Sequence, residues 1–312
     1  MTAEQTLAAG PRPSRLAIWI EATRTYSFTA SITPVLIGSV LGFIDGPFFF
    51  GRFVLALIGS LFIHIGTNLI NDYYDHLSGV DTLESMSGSQ VIQRGLLTPG
   101  EVYWGGIVTF GIGSVFGLIL VALCGWPILV LGGVSVLAGY FYTANPLPLA
   151  YKALGEATVF IFMGPVIIVG AYYVQREVFA LSPILISLPV GCLVASILHA
   201  NNIRDLNFDI EHGKHTLATM IGRQAANWEL AALVYGAYVI TVALILVGYA
   251  PWTVALTFLT LRHAIPAVRI VFEKDKIEEL NESLMCTVKA HLEYGVLLIL
   301  ALLLNQMISL GL

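Results

Sequence analysis

Apolar residues run along this chain in long unbroken stretches, and polar residues collect between the stretches instead of alternating within them. Apolar windows of about 17–25 residues are long enough to cross a bilayer as helices. Nine such windows occur, at 23–44, 53–71, 103–123, 126–143, 154–174, 183–201, 229–249, 251–270 and 290–310. Gly46-Pro47, Gly125-Trp126-Pro127 and Ala250-Pro251-Trp252 mark short connections between them. Two connections are long and polar, 72–102 and 202–228. The pattern predicts an all-α polytopic membrane protein of nine transmembrane helices with a polar cap on one side. It forms a single transmembrane domain over 23–312, preceded by a tail over 1–22.

Composition agrees. Of 312 residues, 57% are hydrophobic and 11% are charged, where a soluble domain carries about 25% charged residues. The mean hydropathy is +0.82. No nucleic-acid partner and no obligate protein partner is expected; the partner implied is the lipid bilayer. Cys124, Cys192 and Cys286 are scattered and have neither disulfide-framework nor zinc-type spacing. The first 20 residues are polar, include Pro11, Arg12, Pro13 and Arg15, and have no apolar core of the signal-peptide kind, so they are expected to be a mobile cytoplasmic tail. With the N-terminus inside, thirteen basic residues fall on the inner side and only Arg52 and Arg176 on the outer. This positive-inside bias places both long polar connections at the cytoplasmic face of the cell (inner) membrane.

Each long connection opens on an acidic signature. The first reads Asn68-Leu-Ile-Asn71-Asp72-Tyr-Tyr-Asp75, the second Asn201-Asn202-Ile-Arg204-Asp205-Leu-Asn-Phe-Asp209. On a helix, Asn68, Asp72 and Asp75 share one face, as do Asn201, Asp205 and Asp209. Carboxylates at a membrane helix end are costly and mark a functional site by default. Paired carboxylates repel unless a cation lies between them. Mg²⁺ is usually held by one or two carboxylates together with substrate phosphates, so the two clusters point to Mg²⁺ gripping a diphosphate. The structural alternative is a solvated acidic loop capping a helix. The matching asparagine four residues upstream in both clusters argues against it and for a weak internal repeat, in which spans two–three and six–seven are equivalent units.

A diphosphate also wants direct cationic partners. Arg24, Arg94, Lys152, Arg204 and Lys214 fall on the same side, and Lys152, after the Pro-rich turn from Tyr142 to Tyr151, could equally be a lysine that only orients the chain. A bilayer-embedded partner group implies a long apolar tail. Breaking the C–O bond of an allylic diphosphate leaves a carbocation that aromatic faces stabilise. Tyr140, Phe141, Tyr142, Phe160, Phe162, Tyr172 and Tyr173 are candidates, with packing as the ordinary alternative for each. His64 and His199 read as satisfied polar core residues. Glu156 is placed to orient Lys152, to bind an acceptor hydroxyl, or to favour a helix N-terminus.

These signatures resemble those of the UbiA superfamily of intramembrane prenyltransferases, over nearly the whole chain from Arg24 to the last span. Within it, Arg24 to Gly38, Asn71-Asp72-Tyr-Tyr-Asp75 running to Gly79-Val-Asp81-Thr, Leu154-Gly155-Glu156, and Gly213-Lys214-x-Thr216-Leu217-Ala218 are similar to the MenA branch, the 1,4-dihydroxy-2-naphthoate polyprenyltransferases. The loop Ser85-Met86-Ser-Gly88-Ser departs from the more basic loop of many members, since only Arg94 is basic between Asp72 and Val102. The resemblance implies Mg²⁺ held by Asp72, Asp75, Asp205 and Asp209, with Asn68 and Asn201 beside them. It implies a polyprenyl diphosphate and an aromatic acceptor as substrates. Lys152, Arg24 and Lys214 would neutralise the leaving diphosphate, and Arg94, Tyr142, Glu156 and Arg204 would contact substrate. Asp81 would serve the metal site or deprotonate the acceptor. Other acceptors compatible with the same chemistry are 4-hydroxybenzoate, homogentisate, a haem precursor and a glyceryl lipid. A cation-coupled transporter is the reading from another class; its carboxylates would lie near mid-membrane on broken helices.

Overall fold

The computed structural model describes residues 13–83, 85 and 88–311. All regular structure among them is helical: α1 Arg15–Ala22, α2 Thr29–Ile44, α3 Phe50–Leu77, α4 Pro99–Cys124, α5 Trp126–Tyr140, α6 Gly155–Arg176, α7 Leu181–Arg204, α8 Leu206–Glu211, α9 Leu217–Ile221, α10 Arg223–Leu246, α11 Trp252–Glu273 and α12 Ile277–Leu310. Residues 1–12 of the expected tail lie outside the described residues. Within its later part Arg15–Ala22 is helical and is capped by Ser14, whose hydroxyl accepts from Ala17 N at 3.2 Å.

Eight helices among the described residues are long and apolar enough to cross a membrane. The ninth expected span, 126–143, is the 15-residue helix α5, about 22 Å long at 1.5 Å per residue and short of the roughly 30 Å hydrocarbon core. It stops early because the chain folds back on itself. Leu149 N donates to Phe141 O at 3.0 Å and Ala150 N to Tyr142 O at 2.8 Å.

Several helices instead run past the hydropathy boundaries, two of them well into the polar end of the bundle. α3 continues through both aspartates to Leu77, and α12 begins at Ile277, well before 290. Polar residues stay helical there because their side chains find partners in the cap. α4 starts at a capping box: Thr98 Oγ1 accepts from Glu101 N, Glu101 accepts from Thr98 N at 2.8 Å, and Pro99 takes the first helical position.

Lipid tails are as apolar as leucine, so packing between spans depends on close approach at small residues. A Cβ on Gly164 of α6 would lie 2.8 Å from the Cα of Gly191 in α7, and a Cβ on Gly38 of α2 would lie 2.2 Å from Ile168 O in α6. α3 packs on α4, and α7 packs on α10. Each motif-bearing helix thus meets the span that returns after its polar connection, in keeping with the repeat read from the sequence. The connection 78–98 is anchored beside α1, α3 and α4 by a cluster that includes Ile18, Leu69, Val91, Ile92 and Leu97.

Candidate active site

One face of α3 lines a cavity along most of the helix, and it carries Asn68 and Asp75 of the first signature but not Asp72. Leu55, Gly59, Ile63, Thr67, Asn71 and Asp75 recur every fourth residue and line one cavity of about 770 Å³. From Leu55 to Asp75 that face spans about 30 Å. Thr158, Phe162, Val166, Gly170 and Val174 form the opposing wall on α6. α6 carries a wider turn at Phe162–Val166, containing Pro165, which turns Phe162 and Met163 to the cavity. The shaft is apolar; its mouth is polar and holds Arg24, Asn68, Asn201, Asn202, Arg204 and Lys214.

Five carboxylates surround that mouth, and Asp72, Asp75, Asp81, Asp205 and Asp209 are all buried. Asp72 accepts from Arg24 and from Ser89 of the connection that covers it. Asp75 accepts from Tyr151, and from Asn71 Nδ2 at 3.0 Å. Asp205 is gripped by its neighbour Arg204 through two bonds of 2.7 Å, and by Asn201 Nδ2 at 3.2 Å. Arg204 is itself fixed by Asn201 Oδ1 and Asn281 Oδ1. The second signature is not one continuous helix. α7 ends at Arg204 and α8 starts at Leu206, yet Asp209 N still donates to Asp205 O at 2.8 Å, so the helical turn carries across the break.

Lys214 Nζ is 3.9 Å from Asp209 Oδ1 and lies over the Tyr151 ring. Burial opposes its charge, but Asp75, Asp209 and Asp81 outweigh this and hold the ammonium above its ordinary pKa. Burial pushes the Asp209 carboxyl up to about 6. Burial, then Asp75, pushes Asp81 up to about 7. Arg24 sits at φ +55°, a left-handed conformation that is strained for a side chain of this size. The corner that presents it is held by Asn68, which donates to Thr23 O at 3.1 Å and to Ser27 Oγ at 3.2 Å, while Ser27 donates to Arg24 O at 2.8 Å. Asn68 therefore braces Arg24, and the amide that pairs with an aspartate four residues on is Asn71.

Three sequence candidates sit elsewhere. Lys152 is exposed and outside the cavity lining. Its neighbour Tyr151 is the residue that reaches the carboxylates, donating to Asp75, and burial and Asp75 hold its phenol above the ordinary range. Arg94 turns to α1 and pairs with Glu21 at 2.6 Å, both partners well exposed. Glu156 faces the helix interior, where His199 Nδ1 and Asn202 Nδ2 each lie 2.9 Å from its Oε1, and His199 Nε2 is 2.9 Å from Ala226 O. Glu156 and His199 thus tie α6, α7 and α10 together. Of the aromatics, Tyr142 and Phe162 line the cavity, whereas Tyr172 donates to Asp45 at 2.7 Å and Tyr173 to Cys124 O at 3.2 Å. His64 is satisfied by Ser27 and Ser31.

Tyr151, Asn71 and Ser89 were not among the sequence candidates. Only Asn71 carried a signal, its four-residue spacing from Asp75. Tyr151→Phe is expected to lower kcat/KM several-fold, about what loss of a hydrogen bond to a charged group costs, while Lys152→Ala changes it less than about twofold; steady-state kinetics on the two variants check this. Removing His199 leaves the buried Glu156 with Asn202 as its remaining partner, so His199→Leu is expected to destabilise the fold by about 2 kcal/mol or more, read as a lowered unfolding midpoint in detergent.

Two acidic motifs, facing each other across the mouth of an apolar shaft that runs the depth of a bilayer, agree with a match to the UbiA prenyltransferase family over residues 31–285. The chain belongs to that family. It is 33% identical to the 1,4-dihydroxy-2-naphthoate octaprenyltransferase of Bacillus subtilis, over 92% of this chain and 92% of that one. Among solved structures, a UbiA homolog from Aeropyrum pernix superposes with a TM-score of 0.69 at 16% identity, covering 90% of this chain and 98% of the other. A UbiA homolog from Archaeoglobus fulgidus, bound to GPP and Mg²⁺, does so with a TM-score of 0.63 at 18% identity, covering 90% and 99%. This UbiA-family chain is an integral membrane prenyltransferase, and the fold is that of its family.

Proposed function

We propose that this protein transfers a polyprenyl group from polyprenyl diphosphate to 1,4-dihydroxy-2-naphthoate, with decarboxylation, giving the prenylated naphthoquinol that leads to demethylmenaquinone. The observation that carries the reading is the cavity itself, which runs about 30 Å from Asp75 at its polar mouth to Leu55 at its apolar end. The acceptor is supported by the likeness to the Bacillus subtilis naphthoate enzyme and by the MenA-like segments around Arg24, Glu156 and Lys214.

The donor set fits Mg²⁺. Every acidic ligand at the mouth is a hard oxygen, and Asp209 Oδ2 is buried without a hydrogen-bond partner. Among the described residues no three carboxylates, histidines or cysteines already gather as a closed metal cage. That agrees with an ion which keeps waters and shares its shell with substrate phosphates. Asp72, Asp75, Asp205 and Asp209 would hold it. When bound, Mg²⁺ supplies positive charge to the diphosphate as its leaving-group charge develops.

The chain's own residues do the rest. Arg24, whose buried Nε has no partner, and Lys214 face the leaving diphosphate. Asn68 and Ser27 hold Arg24 in place, and Arg204 holds Asp205. The allylic C–O bond breaks with its electron pair going to the diphosphate. A ring carbon of the acceptor attacks the cation, and loss of carbon dioxide and a proton restores aromaticity. Tyr142 and Phe162 offer their rings to the cation, and the dry shaft keeps water from it. Asp81, whose carboxyl is pushed up to about 7 by burial and then by Asp75, would take the acceptor's proton. The basic excess of the sequence at the carboxylate end supports a cytoplasmic mouth.

The test is purified protein in detergent with a polyprenyl diphosphate, Mg²⁺ and a panel of acceptors. Prenylated naphthoquinol with carbon dioxide release is the expected outcome. Product from 4-hydroxybenzoate or homogentisate alone would overturn the acceptor and keep the chemistry.

A further inference from the structure

The shaft has a built floor. Its lining goes no deeper than Leu55 on α3, Leu120 on α4, Ile128 on α5 and Val174 on α6. Leu120, Ile128 and Val174 are buried together with Cys124 and Tyr173. Below them the ends of three helices are stitched by hydrogen bonds. Arg52, at the start of α3, donates to Val174 O and Leu123 O, each at 3.3 Å, and pairs with Glu177 at 2.7 Å. Tyr173 donates to Cys124 O, and Gln175 bonds both the N–H and the carbonyl of Phe49. Tyr173 and Gln175 are buried, and buried hydrogen-bonded side chains are costly to pull apart, so the floor does not yield to a longer ligand as loose lipid-facing side chains would.

Just above the floor the walls are glycine. A Cβ on Gly117 or on Gly132 would meet no atom within 4 Å, and both residues line the cavity. Gly132 lies about 6 Å above Ile128 along α5, and Gly117 about 4.5 Å above Leu120 along α4. At these two positions no side chain narrows the bore.

We propose that this floor, with the bore opened by Gly117 and Gly132, sets the length of prenyl chain the enzyme accepts. The inference rests on the reading that the prenyl tail occupies the shaft. A short donor ends above the glycines, while a long one must pass them to lie fully inside. Leucine at either position fills the bottom of the shaft and excludes only the long donor, because overfilling a packed apolar site is destabilising for whatever must share it.

The experiment measures kcat/KM for geranyl, geranylgeranyl and octaprenyl diphosphate with one acceptor, in wild type, Gly132→Leu, Gly117→Leu and Gly133→Leu. Gly133 is the control. It adjoins Gly132 but is exposed, lies outside the cavity lining and also has no atom within 4 Å of a built Cβ. The octaprenyl-to-geranyl ratio is expected to fall roughly tenfold or more in Gly132→Leu and Gly117→Leu, and to stay at the wild-type value in Gly133→Leu. A leucine variant that loses every donor is replaced by valine at the same position, which reads the same ratio with less added volume. An unchanged ratio at both lining glycines, in protein that transfers geranyl, overturns the proposal and leaves the prenyltransferase reading standing. A wild type that transfers none of the three donors overturns the reading and the proposal together.

Discussion

Asp72→Asn and Asp205→Asn are each expected to lower kcat/KM by roughly 10²–10³ or more, the scale of losing one preorganised charge-stabilising group, in protein that still folds. The amide is isosteric with the carboxyl, so shape is kept and only charge is removed. Asp72 holds Arg24 and accepts from Ser89. Its neutralisation therefore weakens the metal site and loosens the arginine that faces the diphosphate. Asp205 takes both arms of Arg204, so its loss frees a guanidinium at the opposite rim. Both ion pairs are buried, so their loss also lowers the unfolding midpoint, and turnover is read in protein shown to be folded. Kinetics paired with thermal unfolding in detergent separate the two effects. Wild-type turnover in either folded variant would remove the carboxylates from the mechanism.

Chelation of divalent metal should be as severe and should act on binding as well as turnover. Among the described residues the mouth carries five buried carboxylates, Asp72, Asp75, Asp81, Asp205 and Asp209, against three lining cations, Arg24, Arg204 and Lys214. Two of those cations are already committed, Arg24 to Asp72 and Arg204 to Asp205. A diphosphate brought to such a site meets net negative charge, and like charges at close range in a low-dielectric setting cost several kcal/mol. EDTA is thus expected to weaken donor binding at least roughly tenfold and to remove turnover, with both restored by excess Mg²⁺. Titration calorimetry with a non-reacting diphosphate analogue reads the binding half independently of catalysis. Tight donor binding in EDTA would show that Arg24 and Lys214 suffice alone.

Much of the site was legible because helical spacing is a property of the chain. Once residues 68–75 are helical, Asp72 and Asp75 must fall on adjoining faces, and the same rule brings Asp205 and Asp209 together even across the break between α7 and α8. Lys152 and Arg94 show where that reasoning stops. Both lie in turns, where one residue's rotation decides whether a side chain enters the site or solvent. In the turn after α5, Tyr151 faces Asp75 and Lys152 faces out; in the connection 78–98, Ser89 reaches Asp72 while Arg94 reaches Glu21. Glu156 illustrates a related difficulty, since its partner His199 is on another helix and no spacing links them. The length of α5 was similarly hidden, because hydropathy continues through Phe141 while the backbone has already turned.

The sequence by itself determined that this is a helical membrane protein, which helix ends carry the carboxylates, and that there are two matched motifs. These follow from local periodicity and from the cost of placing charge in lipid. Tertiary packing alone decided which amides and hydroxyls brace those carboxylates, which cations enter the mouth, and how deep the apolar shaft runs before Arg52 and its neighbours close it. Those outcomes depend on distances between residues far apart in the chain, which are fixed only when the helices pack.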